Sequence, residues 1–456
     1  MADYQELLGK QRSFFASGQT RDLAFRKESL KRLKREIVQQ EEAIMAALHA
    51  DLNKSPFEGY ATEIGMVLAE ITHTVKHLDQ WARHKRVKTP ITHFGSKGYI
   101  YAEPYGVALI IAPWNYPFNL ALAPLIAALA AGNCAILKPS ELAPHTAGML
   151  AGLIRAVFPE EYVAVVEGGV EASTALLANR FDYIFFTGGV QVGKIVMKAA
   201  ADFLTPVTLE LGGKSPCIVH GDADLKLAAK RIVWGKCLNA GQTCVAPDYV
   251  LVERRAMPEL IAQLKARLDM VYGSGAAESS TFPKIINRRH FERVAAYLQD
   301  GEVLYGGKTN EAALTIEPTL VGDVDWESPV MQDEIFGPIL PILAYDRLDE
   351  AISCINSRPK PLALYLFSQS DAIADKVLAE TSFGGGCLND TMMHMATPYL
   401  PFGGVGESGM GGYHGEAGFA LFSHQKSVLK QTTLFDLPFR YATTKDALKR
   451  IRLFLR

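Results

Sequence analysis

Beginning at Gly106, short apolar runs rich in β-branched residues recur as "GVALIIAP", "CAILKPS", "YVAVVEG", "YIFFTGG" and "VTLELGG". Alanine-rich or periodic segments separate them near 119–131, 144–157, 171–179 and 191–201. Apolar runs without polar alternation suit strands buried on both faces, and a helix-length crossover between two strands lets them pair in parallel. The alternation therefore predicts an α/β fold, a parallel sheet with helices on both faces. Ligands of such sheets bind beyond the carboxyl ends of the strands. That rule selects Pro113 to Pro117, Lys138 to Glu141, Gly168 and Gly169, Gly188 to Lys194, and Glu210 to Lys214 as the segments to inspect.

After about residue 213 the rhythm restarts with "CIVH", a helix near 225–238, the loop "LNAGQTCVAPDY", the run "YVLVE" and a helix near 257–270. This predicts a second α/β unit, in keeping with 456 residues, more than one core usually organises. Upstream, residues 21–80 are rich in Lys, Glu, Leu and Ala, which predicts long amphipathic helices. The segments near 86–105 and 423–435 follow neither rhythm and read as extended strands that form a tail or an interface.

Composition removes several classes of function. A chain that is 48% hydrophobic and 21% charged is an ordinary soluble globular protein. A net charge of -2 offers no field for nucleic acid or another polyanion. Met1 to Phe15 lacks the apolar core of a secretory signal, so a reducing, cytoplasmic setting is expected. The six cysteines (134, 217, 237, 244, 354 and 387) form no CxxC pair, which argues against a disulfide framework and against a metal site. No charged residue occurs between Glu103 and Lys138, yet "APWNYP", Pro124 and Gly132-Asn133 break that stretch into core elements rather than a membrane span. The basic, amphipathic "KDALKRIRLFLR" has two readings: peripheral contact with a membrane surface, or a terminal element packed on the protein or a partner subunit.

Two glycine motifs mislead. Gly188 to Lys194, "GGVQVGK", fits most of a triphosphate-binding loop, but Ile195 stands where a magnesium-ligating Ser or Thr is required. The loop still opens a helix after a strand, where backbone amides can hold a phosphate, so a dinucleotide suits it better. Gly404-Val-Gly406-Glu-Ser-Gly409 fits GxGxxG without a convincing strand before it or helix after it, and reads as a tightly turned loop.

Cys244 is the chemical centre of the reading. A nucleophilic cysteine needs a thiolate or a nearby base, an oxyanion stabiliser and a group to resolve the covalent intermediate. An exposed loop near a helix N-terminus or cations would ionise it. Glu210, in "ELGGK", follows a strand and precedes two glycines, so its carboxylate faces the crevice. Asn115, in "PWNYP", lies at another strand end, where its amide can donate to a developing oxyanion. Taken singly, Glu210 reads as well as a salt-bridge acid, Asn115 as a turn former and Cys244 as a buried structural cysteine.

The ordered set "PWNYP", "LKPSE", "FTGG", "LELGGKSP", "GQTC", "EIFGP", "NSRPKPLALYLFS" and "LPFGGVGESGMGGYHG" resembles the aldehyde dehydrogenase superfamily, and its class 3, fatty-aldehyde-type branch in particular. The likeness runs from the N-terminal helices to about residue 440. It implies a Rossmann-like cofactor-binding domain (1–85 and 106–212), an α/β catalytic domain (213–422), and bridging strands with a C-terminal tail (86–105 and 423–456) that join two subunits of a homodimer. It implies NAD(P)-dependent oxidation of a medium- or long-chain aliphatic or aromatic aldehyde to the acid. Cys244 would attack the carbonyl, Asn115 and the Cys244 N–H would hold the oxyanion, and Glu210 would activate the water that hydrolyses the thioester. Glu334 would hold the nicotinamide ribose, with Phe336 near the ring. Lys138 and Glu141 would bracket the adenine ribose, a carboxylate there favouring NAD while Lys138 admits NADP. Trp114, Gly188, Gly193 and Leu211 complete the expected cofactor contacts. The chain departs from many members at Gly189 and Val190, which replace a hydroxyl residue after the "FTG" loop, and in lacking the hydrophobic membrane tail of the animal fatty-aldehyde enzymes. Apolar residues around 392–402 read as a substrate entrance or as packing, and His394 and His414 as structural histidines. A CoA-acylating dehydrogenase would not need Glu210, and a non-catalytic relative would have lost Cys244 or Glu210; both residues are present.

Overall fold

The structure is a computed structural model that describes residues 4–455 apart from Ser274 and Ser280. Each apolar run beyond Gly106 is a strand. In space they lie in the order Val207–Glu210, Tyr183–Thr187, Val107–Ile111, Cys134–Lys138 and Val163–Val165, all parallel. The chain moves outward from the central strand Val107–Ile111 in one direction, then returns to its other side at Tyr183–Thr187. The order of strands therefore reverses beside Ala112 to Asn115 and Gly188, which is where a parallel sheet leaves a crevice. Every residue of the helix Asn119–Ala131 is buried, because this helix is sandwiched between the sheet and the N-terminal helices Leu23–Gln39 and Gly65–Trp81.

A second sheet has the order Glu302–Tyr305, Thr319–Gly322, Ile339–Tyr345, Tyr249–Glu253, Pro216–Val219, Ala363–Phe367 and Gly385–Leu388. It too is parallel, except for the antiparallel edge strand Glu302–Tyr305. Leu211 to Ser215 links the carboxyl end of the last parallel strand of the first sheet to the amino end of a strand in the second. The carboxyl edge of one sheet thus faces the amino edge of the other.

The late segment Gly409–Met410, grouped by sequence with residues 213–422, instead pairs antiparallel with Val207–Glu210 and closes the first sheet. Gly409 permits this approach: its φ is +141°, and a Cβ would strike the carbonyl of Leu209. The decoy GxGxxG is accordingly a short turn, Gly406–Ser408, feeding an edge strand. The helix Gly415–Leu421 then packs on Asn119–Ala131. A third, three-stranded antiparallel sheet joins Lys85–Val87, Ser96–Pro104 and Ser423–Gln431. The basic C-terminal segment forms the helix Ala447–Phe454, with Leu448, Leu453 and Leu455 exposed. Among the described residues, no helix is long and apolar enough to cross a membrane.

Candidate active site

The two sheet edges enclose a cavity of about 540 Å³ lined by Trp114, Asn115, Gly188 to Val192, Glu210 to Lys214, Cys244, Glu334 and Phe336, among others. Cys244, Glu210 and Asn115, separated by up to 129 residues in sequence, share this one space. They do not converge from one sheet edge, as their placement after apolar runs would have it. Glu210 and Asn115 come from carboxyl strand ends of the first sheet, whereas Cys244 occupies the turn before Tyr249–Glu253, at the amino edge of the second.

The Cys244 turn has an unusual approach. Asn239, Ala240 and Gly241 all have positive φ, at 52°, 51° and 74°, a run that L-residues adopt only when surrounding contacts enforce it. Those contacts are present. The Asn239 side chain donates to the carbonyls of Asn115 (2.8 Å) and Gln242 (3.1 Å), and the Asn239 N–H donates to Glu58. Gln242 accepts from the Ile286 N–H and donates to the carbonyls of Asn239 and Lys284. The Asn115 amide donates to the Gln242 carbonyl at 3.1 Å, which fixes its plane beside the cysteine and leaves its second N–H free of any bond to the protein among the described residues.

The Cys244 thiol is held above its usual pKa. Burial raises its pKa, and the nearby carboxyls of Glu334 and Glu210 raise it further, while the N–H groups of Cys244 and Val245 pull weakly the other way. This replaces the expected exposed, cation-activated loop: the sulfur is half-buried among acids, so it needs a base. Glu210 is 3% exposed, and neither carboxylate oxygen has a hydrogen-bond partner among the described residues. Burial alone drives its pKa far above the usual carboxylate range. A buried acid with no protein partner among the described residues is costly to stability and suits a group whose partner arrives with the reaction.

Glu334 lies across the cavity, close enough to Gly212 that a Cβ there would meet its carboxylate. Burial and then the charge of Asp248 push it up to about 8, against the pull of the Gly213 N–H, Lys214 and Lys236. Phe336 holds a φ of 49° and meets Trp114 edge to face at 5.3 Å; Trp114 also lies 5.3 Å from the ring of His290. Gly188 and Gly189 precede the helix Val190–Ala201, whose first turn has no side-chain cap. Gly193 faces Leu211 so closely that a Cβ would come within 2.7 Å of it. Lys138 and Glu141 pair at 2.8 Å; burial opposes ionisation of Glu141, but the Lys138 ammonium holds its pKa below the usual value. Neither residue lines the cavity, nor does any residue of 392–402. The latter loop reaches the Cys244 turn by another route: the His394 ring lies 6.0 Å from that of Tyr365, whose hydroxyl donates to the Val245 carbonyl at 2.5 Å. His394 is held neutral by burial, with its pKa lowered to about 4, and His414 stands 3.9 Å from Glu70.

Sequence reasoning missed several lining residues, including His290, Arg293 and Lys360. In "NRRHFER" His290 stands among charged residues, and nothing local marks it as turned toward Trp114. It also missed the ionic support of the second unit. Lys214 donates to Asp248 (2.5 Å) and to the carbonyls of Val330 and Asp333 (both 2.9 Å), tying the strand linker to the loop that carries Glu334. Among the described residues, no group of three or more His, Cys, Asp or Glu is placed to hold a metal ion.

The chain belongs to the aldehyde dehydrogenase family, whose signature covers residues 2–428, and it is an enzyme of aldehyde oxidation. It is 48% identical to the 4,4'-diaponeurosporen-aldehyde dehydrogenase of Staphylococcus aureus over 98% of this chain and 97% of that one. It is 47% identical to the dimeric NADP-preferring aldehyde dehydrogenase of Rattus norvegicus, over 95% and 96% of the two chains. A solved structure of the substrate-bound state of Staphylococcus aureus AldH superposes with a TM-score of 0.97 at 47% identity, covering 100% of both chains.

Proposed function

We propose that the enzyme oxidises an apolar aldehyde to its carboxylic acid through a covalent adduct on Cys244, with NAD(P) as oxidant. One observation carries this reading: a buried carboxylate with two unpartnered oxygens, a cysteine and a fixed amide face the same cavity. The cavity also suits a dinucleotide. Gly188 and Gly189 open a helix whose first amides are uncapped, Gly212 leaves room beside Glu334, and Trp114 and Phe336 supply aromatic walls. In this assignment the unit built on the first sheet, with the N-terminal helices, holds NAD(P). Lys138 and Glu141 bracket the adenine ribose, Gly188, Gly193 and Leu211 shape the phosphate and ring contacts, and Glu334 holds the nicotinamide ribose. Bound NAD(P) supplies the acceptor for the hydrogen and electron pair that leave the aldehyde carbon.

The residues of the chain do the rest. The Cys244 thiol loses its proton to a neighbouring carboxylate, and the sulfur bonds to the carbonyl carbon. The free N–H of Asn115 and the Cys244 N–H take up the charge on oxygen. After oxidation the sulfur holds a thioester. Glu210 removes a proton from water as the water attacks this carbonyl, the C–S bond breaks, and the acid leaves. The apolar character of the substrate rests on the aldehyde in the relative's name, 4,4'-diaponeurosporen-aldehyde, and on the exposed Met393, Tyr399 and Leu400, in the loop whose His394 ring lies 6.0 Å from that of Tyr365. The three-stranded sheet is assigned as the bridge between two subunits.

The test follows NADH and NADPH formation with short aliphatic, long aliphatic and aromatic aldehydes. Cys244→Ala should abolish turnover. Glu210→Gln should retain one stoichiometric burst of reduced cofactor and then stall. Turnover by Cys244→Ala would overturn the covalent mechanism, and unimpaired turnover by Glu210→Gln would remove Glu210 from hydrolysis.

A further inference from the structure

Behind the cavity lies a set of charged residues that the mechanism does not use. Lys54 and Glu63 are ion-paired at 2.5 Å with both side chains wholly buried. The Lys54 ammonium also donates to the Asn115 carbonyl at 3.0 Å and sits 4.0 Å from the centre of the Tyr116 ring. The second oxygen of Glu63 accepts from the N–H groups of Phe118 (3.2 Å) and Asn119 (2.8 Å), at the start of the buried helix. Tyr116 then shares a hydrogen bond of 2.6 Å with Thr243, the neighbour of Cys244. Glu58 completes the set through its bond to the Asn239 N–H.

Local backbone geometry brings these acids together. Residues 58 and 63 are five apart, about 140° around an α-helix, and would face different directions. Here Tyr60–Ile64 is a single π-helical turn, in which the Gly65 N–H bonds back to the Tyr60 carbonyl. The wider turn brings both carboxylates toward the same interior. Such turns interrupt helices chiefly at functional sites.

We propose that Lys54, paired with Glu63, is a positioning residue for aldehyde oxidation: it fixes the Asn115 peptide and with it the direction of the oxyanion donor. The inference rests on the roles assigned above to Asn115 and Cys244. A buried ion pair contributes little net stability compared with apolar residues of the same volume. What this one supplies is direction. Lys54 and the Asn239 amide both donate to one carbonyl oxygen, that of Asn115, so the peptide that carries the oxyanion donor cannot rotate without breaking two buried bonds.

Lys54→Met alone would strand the Glu63 charge, so the informative variant is Lys54→Met with Glu63→Gln, which removes both charges and keeps an acceptor for the helix N–H groups. Two rates are compared in the full chain: single-turnover NADH formation with enzyme in excess, and alkylation of Cys244 by iodoacetamide, which forms no oxyanion. We expect the first to fall by between tenfold and about 10²-fold and the second to remain as in the parent. In an Asn115→Ala background the paired change should slow single turnover no further. An unchanged single-turnover rate, a parallel fall in alkylation, or a loss that multiplies in full with Asn115→Ala would overturn the proposal. Unimpaired single turnover in Asn115→Ala alone would instead overturn the oxyanion role on which it is built.

Discussion

Glu210 shows how a residue's surroundings decide its chemistry. The sequence places it at a strand end before two glycines, and that much was legible. Its state was not, because the burial that raises its pKa comes from packing contributed by distant segments, Tyr413 among them. As a general base it must lose its proton to work, and burial moves that loss to higher pH. Steady-state turnover should therefore rise with pH along a limb lying well above the ordinary carboxylate range, and fall away as the pH drops through the raised pKa. A pH profile of kcat checks this: the small residual turnover left in Glu210→Gln after the burst should lack the limb. A limb that stays unchanged in that variant would belong to another group, such as Glu334, which burial lifts to about 8. Lys236 marks the limit of reading single residues. It is 2% exposed, its amine stands 4.0 Å from the Asp248 carboxylate without a hydrogen bond among the described residues, and burial lowers its pKa to about 8, yet in sequence it is one lysine near the end of an amphipathic helix.

At the scale of elements the sequence was most informative where the pattern is local. Apolar runs and crossover helices fall on the strands and helices expected from 107 to 201, since periodicity and burial on both faces are properties of each segment. Pairings between distant segments left no such trace. Gly409–Met410 joins Val207–Glu210 across about 200 residues, and the π-helical turn at Tyr60–Ile64 has no compositional mark. The Cys244 loop lies between these cases: the sequence marks it as a loop between two elements, but the left-handed run at Asn239, Ala240 and Gly241 becomes visible only with its hydrogen bonds in place. Gly241 is its most constrained member, because its φ is +74° and a Cβ would strike the Gly337 carbonyl. Gly241→Ala should push the Cys244 turn away from the Phe336 loop and reduce kcat/KM by about 10²-fold, with a loss of stability of about 1–3 kcal/mol from strain. Gly152→Ala is the control, since that residue sits inside the helix Pro144–Val157, has nothing within 4 Å of an added Cβ and lies outside the cavity lining. Comparable activity in the two variants would show that the turn can relax without disturbing the sulfur.

The whole molecule places its chemistry where the carboxyl edge of one sheet meets the amino edge of another, an arrangement that neither unit's own pattern encodes. It also carries a sheet that serves neither cavity wall. Ser423–Gln431 pairs with Ser96–Pro104 along its full length, while its outer edge has no partner among the described residues, and His424 to Lys430 are exposed. An open strand edge of this length invites pairing with another chain. It carries lysines at 426 and 430, which discourage indiscriminate association, but also the exposed apolar residues Val428 and Leu429. The proposed bridge between two subunits would be made by a second copy of the chain pairing along this edge. Light scattering should find a particle of twice the 49.9 kDa chain mass. Proline at 427 and 429 would remove N–H donors and disturb the strand's edge; the expected result is a species of single-chain mass that still reacts with iodoacetamide at Cys244, because the cavity lining contains no residue of this sheet. A particle still of twofold mass would mean that another surface, such as the exposed apolar face of the helix Ala447–Phe454, holds the subunits together.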